Sequence, residues 1–414
     1  MKTSLQTRLA DRVHIGTALA TTALVAFGTL MVWSATATMP SHDALVRRHL
    51  VGIAVGLLPL ALLWVLDYQR LRAWAGPLMV ALSLLIISPR IPGLGASVSG
   101  ATSWLQIGGI RLFQPSEPAK LLFIVVMAAV ISEYKGRIDK PRDVARVIGF
   151  AAVPLGLILL QPDLGTGLVF VATALGMLLV GGMKPRWLAL VAVAGVLLVV
   201  AAFGLNDALN RLLNRGPYDA TYISAVQQAG GDTSADSVQR VSDTSVLIKQ
   251  YQINRLLVFI DPKRDPKGAG YNLQQARIAI GSGGVTGKGL QQGTQSRLNF
   301  IPERHTDFIF SVLGEQLGFL GAMLLLGMYL ALLAAALSIS ASSRDLFGAL
   351  IAAGLISMWT FQILENVGMS IGMMPITGIP LPFMSFGSSF MVTNLAGVGM
   401  LLSIWSRRYG TTTT

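Results

Sequence analysis

The chain of 414 residues contains no cysteine. That excludes disulfides, thiolate catalysis and cysteine-ligated metal, and it is compatible with a face in an oxidising compartment. Charge is scarce as well: Asp, Glu, Lys and Arg make up 13% of the residues against 53% hydrophobic ones, and the mean hydropathy is +0.61. Such a balance excludes an ordinary soluble domain. No GxxxxGK[ST] run occurs, so the chain lacks the phosphate-binding loop of an ATP-driven pump. A cleavable signal peptide is not expected either. The first apolar run, residues 15–35, is too long for a typical signal core and has no small-residue cleavage pattern, so it is read as a retained helix.

The apolar residues gather near 15–35, 50–67, 73–89, 118–133, 144–161, 165–181, 185–204, 306–337, 347–373 and 385–405. With flanking residues in some cases, each is long enough to cross about 30 Å of hydrocarbon. The expected fold is therefore an all-α polytopic membrane protein, a single domain over residues 1–414 with about ten transmembrane helices. Gly and Pro interrupt the third, fourth and tenth, where a re-entrant segment is the alternative. With the N-terminus inside, the internal segments carry Lys2, Arg8, Arg12, Arg70, Arg72, Lys135, Arg137, Lys140, Arg142, Lys184, Arg186, Arg344, Arg407 and Arg408, and the short external ones carry Arg47, Arg48, Arg90 and Arg111. Positive charge is retained on the cytoplasmic side, so both termini are expected there. The formal charge of +12 then sits largely beside anionic lipid, which argues against a nucleic-acid partner.

Between the seventh and eighth expected helices lies a large extracytoplasmic loop, residues 205–305, with no run long enough to span. Its polar stretch Gly230 to Asp243 reads as a surface loop. Val246 to Ile260 has helical spacing with Asp261-Pro262 as a stop, and fits an amphipathic helix at the outer surface. Glycines at 268, 270, 281, 283, 284, 287, 289 and 293 enclose a short helix candidate over Tyr271 to Ile280. They permit close backbone approach to a ligand. Among them Lys288 either meets a phosphate or faces water.

Ionisable groups at the edge of hydrocarbon mark working sites by default, and the run NFIPERHTDFIF at 299–310 holds several of them. Asp307 opens the expected eighth helix directly before Phe308, Ile309 and Phe310. There desolvation raises a carboxylate's proton affinity and makes it a better base, although a helix cap is the plain alternative. Glu303 and Arg304 also read as a solvated surface pair, and His305 is pulled in opposite directions by Arg304 and Asp307. Glu117 and Lys120 are spaced to share a face at the start of the fourth helix. Asp163 reads as an N-cap. If Glu117, Asp163, Glu303 and Asp307 converged, they would suit a divalent cation or activation of a hydroxyl.

Several of these runs together resemble the SEDS family of peptidoglycan glycosyltransferases, and its rod-shape branch, RodA, more than its division branch, FtsW. They are Trp104 with QPSEPAK at 114–120, QPDLGT at 161–166, YQINRLLVFIDP at 251–262, GSGGVTGKG at 281–289, NFIPERHTDFIF at 299–310 and ITGIPLPFMSFG at 376–387. The resemblance implies a ten-helix enzyme of the bacterial cytoplasmic membrane that polymerises lipid II into glycan strands on the outer face during cell elongation. It further implies a class B penicillin-binding protein transpeptidase and other elongation complex proteins as partners, and a divalent cation, Mg or Mn, whose ligands are unassigned. It matches the family's essential aspartate to Asp307, its fourth-helix glutamate and lysine to Glu117 and Lys120, and its loop tyrosine and arginine to Tyr251 and Arg255. Asp163, Lys288, Glu303 and Arg304 are expected to support catalysis or bind substrate. Pro118 and Ser388 depart from the family pattern, and the stretch 230–243 looks like an insertion. The rival readings are a flippase for a lipid-linked precursor and a noncatalytic scaffold.

Overall fold

In lipid every backbone polar group must find a partner within the protein, so apolar runs fold as helices. The computed structural model describes residues 13–91, 93–98, 101–108, 110–159, 161, 163–195, 197, 201, 255, 258–261, 265 and 268–409. Within them lie α1 Ile15–Thr36, α2 His42–Val65, α3 Tyr68–Ala73, α4 Ala75–Ile87, α5 Ser116–Ser132, α6 Pro141–Leu159, α7 Leu164–Val180, α8 Pro185–Gly195, α9 Ala269–Gly283, α10 Thr294–Arg297, α11 Ile309–Ala341, α12 Leu346–Ile371 and α13 Ser388–Ser406. Among the described residues a helix lies within each expected span, in 185–204 over Pro185–Gly195. Among the described residues five of them, α1, α2, α11, α12 and α13, are long and apolar enough to cross a membrane. Helix α2 starts well before its apolar run, because the polar turn through Asp43, Arg47 and Arg48 is helical too.

Two features differ from the sequence reading. Residues 95–113 form a three-stranded antiparallel sheet, β1 Gly95–Val98, β2 Ala101–Ile107 and β3 Ile110–Phe113, with Trp104 of β2 opposite Ala96. This stretch is too short and polar to span, and the purely helical expectation omits it. Helix α11 is broken at Gly318, whose φ of 63° and ψ of −160° interrupt the helix. The glycine-rich loop after α9 pairs the backbone groups that the break frees. Lys288 N donates to Glu315 O at 3.0 Å and Gly289 N to Gln316 O at 2.9 Å, while Phe319 N donates to Gly284 O at 2.9 Å and Leu320 N to Val285 O at 3.0 Å. A Cβ on Gly287 would lie 2.2 Å from Gln316 O. Gly283 and Gly287 thus make their close approach to the broken helix.

Apart from Trp359 Nε1, which donates to Asn394 Oδ1 at 2.7 Å between α12 and α13, two groups of polar contacts between elements lie at opposite ends. At one, His14 packs on Trp405 and bonds Ser338, Gln69 donates to Asp345 at 2.8 Å, Arg407 reaches Asp67, and Trp187 Nε1 donates to Asp139 O. At the other, Arg304 grips the end of α1, Gln114 N meets Ser389 Oγ, and Ser388 Oγ donates to Arg48 O. The candidate residues collect at this second end.

Candidate active site

The run 305–307 leads into α11 without capping it. The N-cap is Phe308, which makes no side-chain cap bond, so Asp307 does not serve as a helix cap. Three contacts hold its backbone instead. Asn366 Nδ2, from α12, donates to Asp307 O at 2.7 Å and to Ile379 O at 2.8 Å. Ser385 Oγ donates to Thr306 O at 2.6 Å, and Phe386 N donates to His305 O at 2.9 Å. The loop 376–387 that supplies these groups is itself fixed by Tyr329, whose hydroxyl donates to Pro382 O at 2.6 Å. Two of the sequence motifs therefore brace one another, and Gly165 of a third lies against Thr377 and Ile379.

Asp307 and Arg255 lean over Gly378: a Cβ there would lie 3.1 Å from Asp307 Oδ2 and 3.2 Å from Arg255 Nη1. Arg255 Nη1 also donates to Thr377 O at 3.0 Å. Asp307 keeps partial solvent access but is closely surrounded by protein. Burial first, then the charge of Glu303, pushes its carboxyl up to about 7, with Arg255 and Thr306 opposing. Near neutrality such a group exchanges protons readily, as a general base requires. His305 is shifted down, chiefly by burial, with Glu303 and Arg304 opposing one another; it stacks at a tilt on Phe386.

The other candidates are placed differently. Glu117 and Lys120 are both buried and paired at 2.8 Å, with the ammonium 5.4 Å from the Phe390 ring centre. Asp163 caps α7, accepting from Thr166 N at 3.0 Å and Thr166 Oγ1 at 2.8 Å. Glu303 is exposed and accepts from Thr306. Arg304 is not its surface partner. At 1% exposure it donates to Ala35 O at 2.7 Å, Thr38 Oγ1 at 2.9 Å, Ser296 O and Asn299 Oδ1, which ties the loop to α1. Lys288, whose side chain is 27% exposed, pairs with the fully buried Glu315 at 3.1 Å and donates to Thr294 at 2.8 Å. Tyr251 and residues 230–243 lie outside the described residues. Among the described residues no three His, Asp or Glu side chains stand together as metal ligands. Glu117, Asp163 and Glu303 each have a separate local partner, so the four carboxylates do not form a cage.

The sequence reading passed over Glu365 and Asn366, and held Ser385 only as part of the run 376–387. Glu365 was detectable, because an ionisable residue inside an apolar span is a functional candidate by default. Asn366 carries no such signal, and the motif did not reveal what Ser385 does, since both act through backbone contacts far away in sequence.

The family model of the FtsW, RodA and SpoVE proteins, described as cell cycle protein, matches residues 15–217 and 223–410. Peptidoglycan glycosyltransferase MrdB of Escherichia coli K12 is 32% identical, over 96% of this chain and 95% of its own. A probable peptidoglycan glycosyltransferase FtsW of Trichlorobacter lovleyi is also 32% identical, over 92% and 90%. Among solved structures, a chain from work on the coordination of polymerization and crosslinking by a peptidoglycan synthase complex superposes with a TM-score of 0.70 at 31% identity, covering 95% of this chain and 98% of that one.

Proposed function

The chain belongs to the FtsW, RodA and SpoVE family and is a peptidoglycan glycosyltransferase that polymerises glycan strands, and from that premise we propose that its substrate is lipid II and its general base Asp307. A sugar 4-hydroxyl attacks the anomeric carbon of a lipid-linked unit, and the pyrophosphate leaves. Asp307 takes the hydroxyl proton, and Arg255, beside it over Gly378, offsets charge on the departing pyrophosphate. Pyrophosphate is a good leaving group, so the two-carboxylate scheme of hydrolytic glycosidases is not needed. The observation that carries this reading is Asp307 itself: a carboxylate pushed to about 7, next to a cation, on a loop held by Asn366 and Ser385.

Lys288 and Arg304 are committed to structural partners, so no contact with substrate is proposed for them. Glu117 and Lys120 act as a buried pair that supports the outer end of α5. A divalent cation is proposed to arrive with the pyrophosphate, since Mg²⁺ typically keeps few protein ligands and binds through phosphate oxygens. The distribution of Lys and Arg supports a multi-pass arrangement of about ten helices in the bacterial cytoplasmic membrane, with both termini inside and the Asp307 end outside. A class B transpeptidase is the proposed partner, in line with the synthase complex that contains the structural relative. Elongation is the proposed setting, on the rod-shape character of the motifs.

The test is strand synthesis from labelled lipid II by purified protein with a transpeptidase-inactive partner and a divalent cation, with products resolved by length. A ladder from the parent and none from a folded Asp307→Asn protein is the expected result. A ladder of normal intensity from Asp307→Asn would overturn the base assignment.

A further inference from the structure

Helix α7 starts at the Asp307 end, where Gly165 lies against Thr377 and Ile379, and its 17 residues carry the chain about 25 Å to the opposite end. There two short loops are locked together. Ile138 and Met183 form a parallel bridge, and a Cβ on Gly182 would stand 2.0 Å from Gly136 O. Lys184 Nζ is 3.3 Å from Asp139 Oδ2, and Trp187 Nε1 donates to Asp139 O at 3.1 Å. The lock sets Lys184 and Arg186, at the start of α8, beside the peptide that leads from Asp139 into Lys140.

Over residues 133–146 and 184–186 seven basic side chains stand against three acidic ones. Glu133 and Asp139 meet Arg146 and Lys184 in half-exposed pairs, which contribute little and leave the cations open to other anions. Asp143 lies in the first turn of α6. Lys140 and Arg186 are exposed, and the Arg186 guanidinium is 5.5 Å from the Trp187 ring centre.

Next to these cations α7 and α8 enclose a groove of about 400 Å³. Leu175, Gly176 and Leu179 form one wall, and Leu188, Ala189 and Ala192 the other; spacings of three and four keep each wall on one helix face. The small residues among them leave the hollow, which is open where Leu179, Ala189 and Ala192 are exposed. Its volume falls in the range, roughly 300–1,000 Å³, of sites that take small molecules. Along α8 the apolar wall runs from about 6 Å to about 12 Å beyond Lys184. A cationic rim followed by an apolar slot matches a molecule with an anionic head and a hydrocarbon tail.

We propose that this groove binds one anionic phospholipid, with an acyl chain between α7 and α8 and the headgroup phosphate at Lys140, Lys184 and Arg186. The slot alone does not select, because any bilayer lipid fills an apolar groove. The cations supply the choice, each adding attraction for an anionic headgroup. Trp187, with its indole N–H bonded at the rim, stands at the depth where aromatic residues anchor membrane proteins. The site faces the cytoplasmic leaflet, which rests on the orientation proposed above. It lies at the opposite end from Asp307, so its occupant is a phospholipid and not the substrate. Bound there, the lipid holds the two loops together and stabilises the fold by mass action.

Native mass spectrometry of the full chain in detergent, titrated with phosphatidylglycerol or phosphatidylcholine of the same acyl chains, counts the lipids bound. The parent is expected to take up one phosphatidylglycerol at least about tenfold more tightly than phosphatidylcholine, as a few nearby cations provide. The combined change Lys140→Gln, Lys184→Gln and Arg186→Gln should bind both lipids alike. Ala192→Phe, which fills the groove and keeps every charge, should weaken both. Should the combined change fail to fold, Arg186→Gln alone, at an exposed residue, is read in its place and should cut the preference. Equal affinity of the parent for the two lipids, a preference unchanged by loss of the cations, or phosphatidylglycerol binding unchanged in Ala192→Phe would each overturn the site. Displacement of phosphatidylglycerol by an equal concentration of lipid II would make the substrate the occupant and overturn it as well. Strand synthesis and sidedness play no part in this measurement, so its failure leaves the base and orientation readings standing; a reversed orientation, read by cysteine labelling, would sink the leaflet and not the lipid.

Discussion

At the scale of single residues, Asp307 is held where its ionised form is disfavoured, and this sets two expectations of opposite sign. Strand synthesis should rise as pH passes through about 7, the value to which burial and Glu303 push the carboxyl. Stability should move the other way. A carboxyl whose folded-state value lies above its ordinary 3.8 contributes fully to stability below that ordinary value, and the contribution is lost as pH rises through the folded one. Asp307→Asn is therefore expected to raise the Tm above pH 7 while abolishing polymerisation, and thermal unfolding at pH 6 and pH 8 checks it; an Asn protein less stable at pH 8 would contradict the burial argument. Arg304 behaves oppositely. Its loss leaves Ala35 O and Ser296 O without donors, at roughly 1–3 kcal/mol for each buried group. Arg304→Lys, which cannot reproduce the fork, should lower the Tm clearly, with any surviving enzyme keeping the parental pH profile.

At the scale of elements, two junctions carry testable consequences. Helix α5 begins with a buried ion pair, Glu117 with Lys120. Removing one partner strands the other charge, at roughly 3–5 kcal/mol, whereas replacing both is far milder. Glu117→Gln and Lys120→Met should each reduce thermal retention strongly, and the double change should lose much less than their sum; additive losses would show that the pair is not a unit. The second junction is the glycine-rich loop sewn into the break of α11. Gly287 has φ of 79° and no room for a Cβ against Gln316 O, so Gly287→Ala should unseat the loop and release Lys288 from Glu315. Limited proteolysis near residues 284–297 would detect this, and unchanged protection would argue against the fit. Sequence spacing revealed the Glu117–Lys120 pair, because i and i+3 share a helix face. It could not reveal what the glycines approach, because the strand of helix that they meet lies beyond another loop.

For the whole molecule, contacts at one end join His14 to Trp405, so the described parts of the chain's beginning and end lie together. The absence of cysteine makes orientation simple to test. Ser41→Cys should react with a membrane-impermeant maleimide in intact cells and Lys184→Cys only after permeabilisation; the reverse pattern would invert the proposed topology. The sequence by itself determined the membrane class, the places of the helices and the family, because run length, hydropathy and motif are properties of neighbouring residues. It also pointed to Asp307 and Arg255, though not to their meeting over Gly378. Only the tertiary structure decided which charged groups are spoken for. Lys288 is held by Glu315 and Arg304 by the end of α1. Burial and pairing depend on residues brought together from distant parts of the chain, and it is these, through desolvation and the presence or lack of a counter-charge, that separate a structural charge from one free to move a proton.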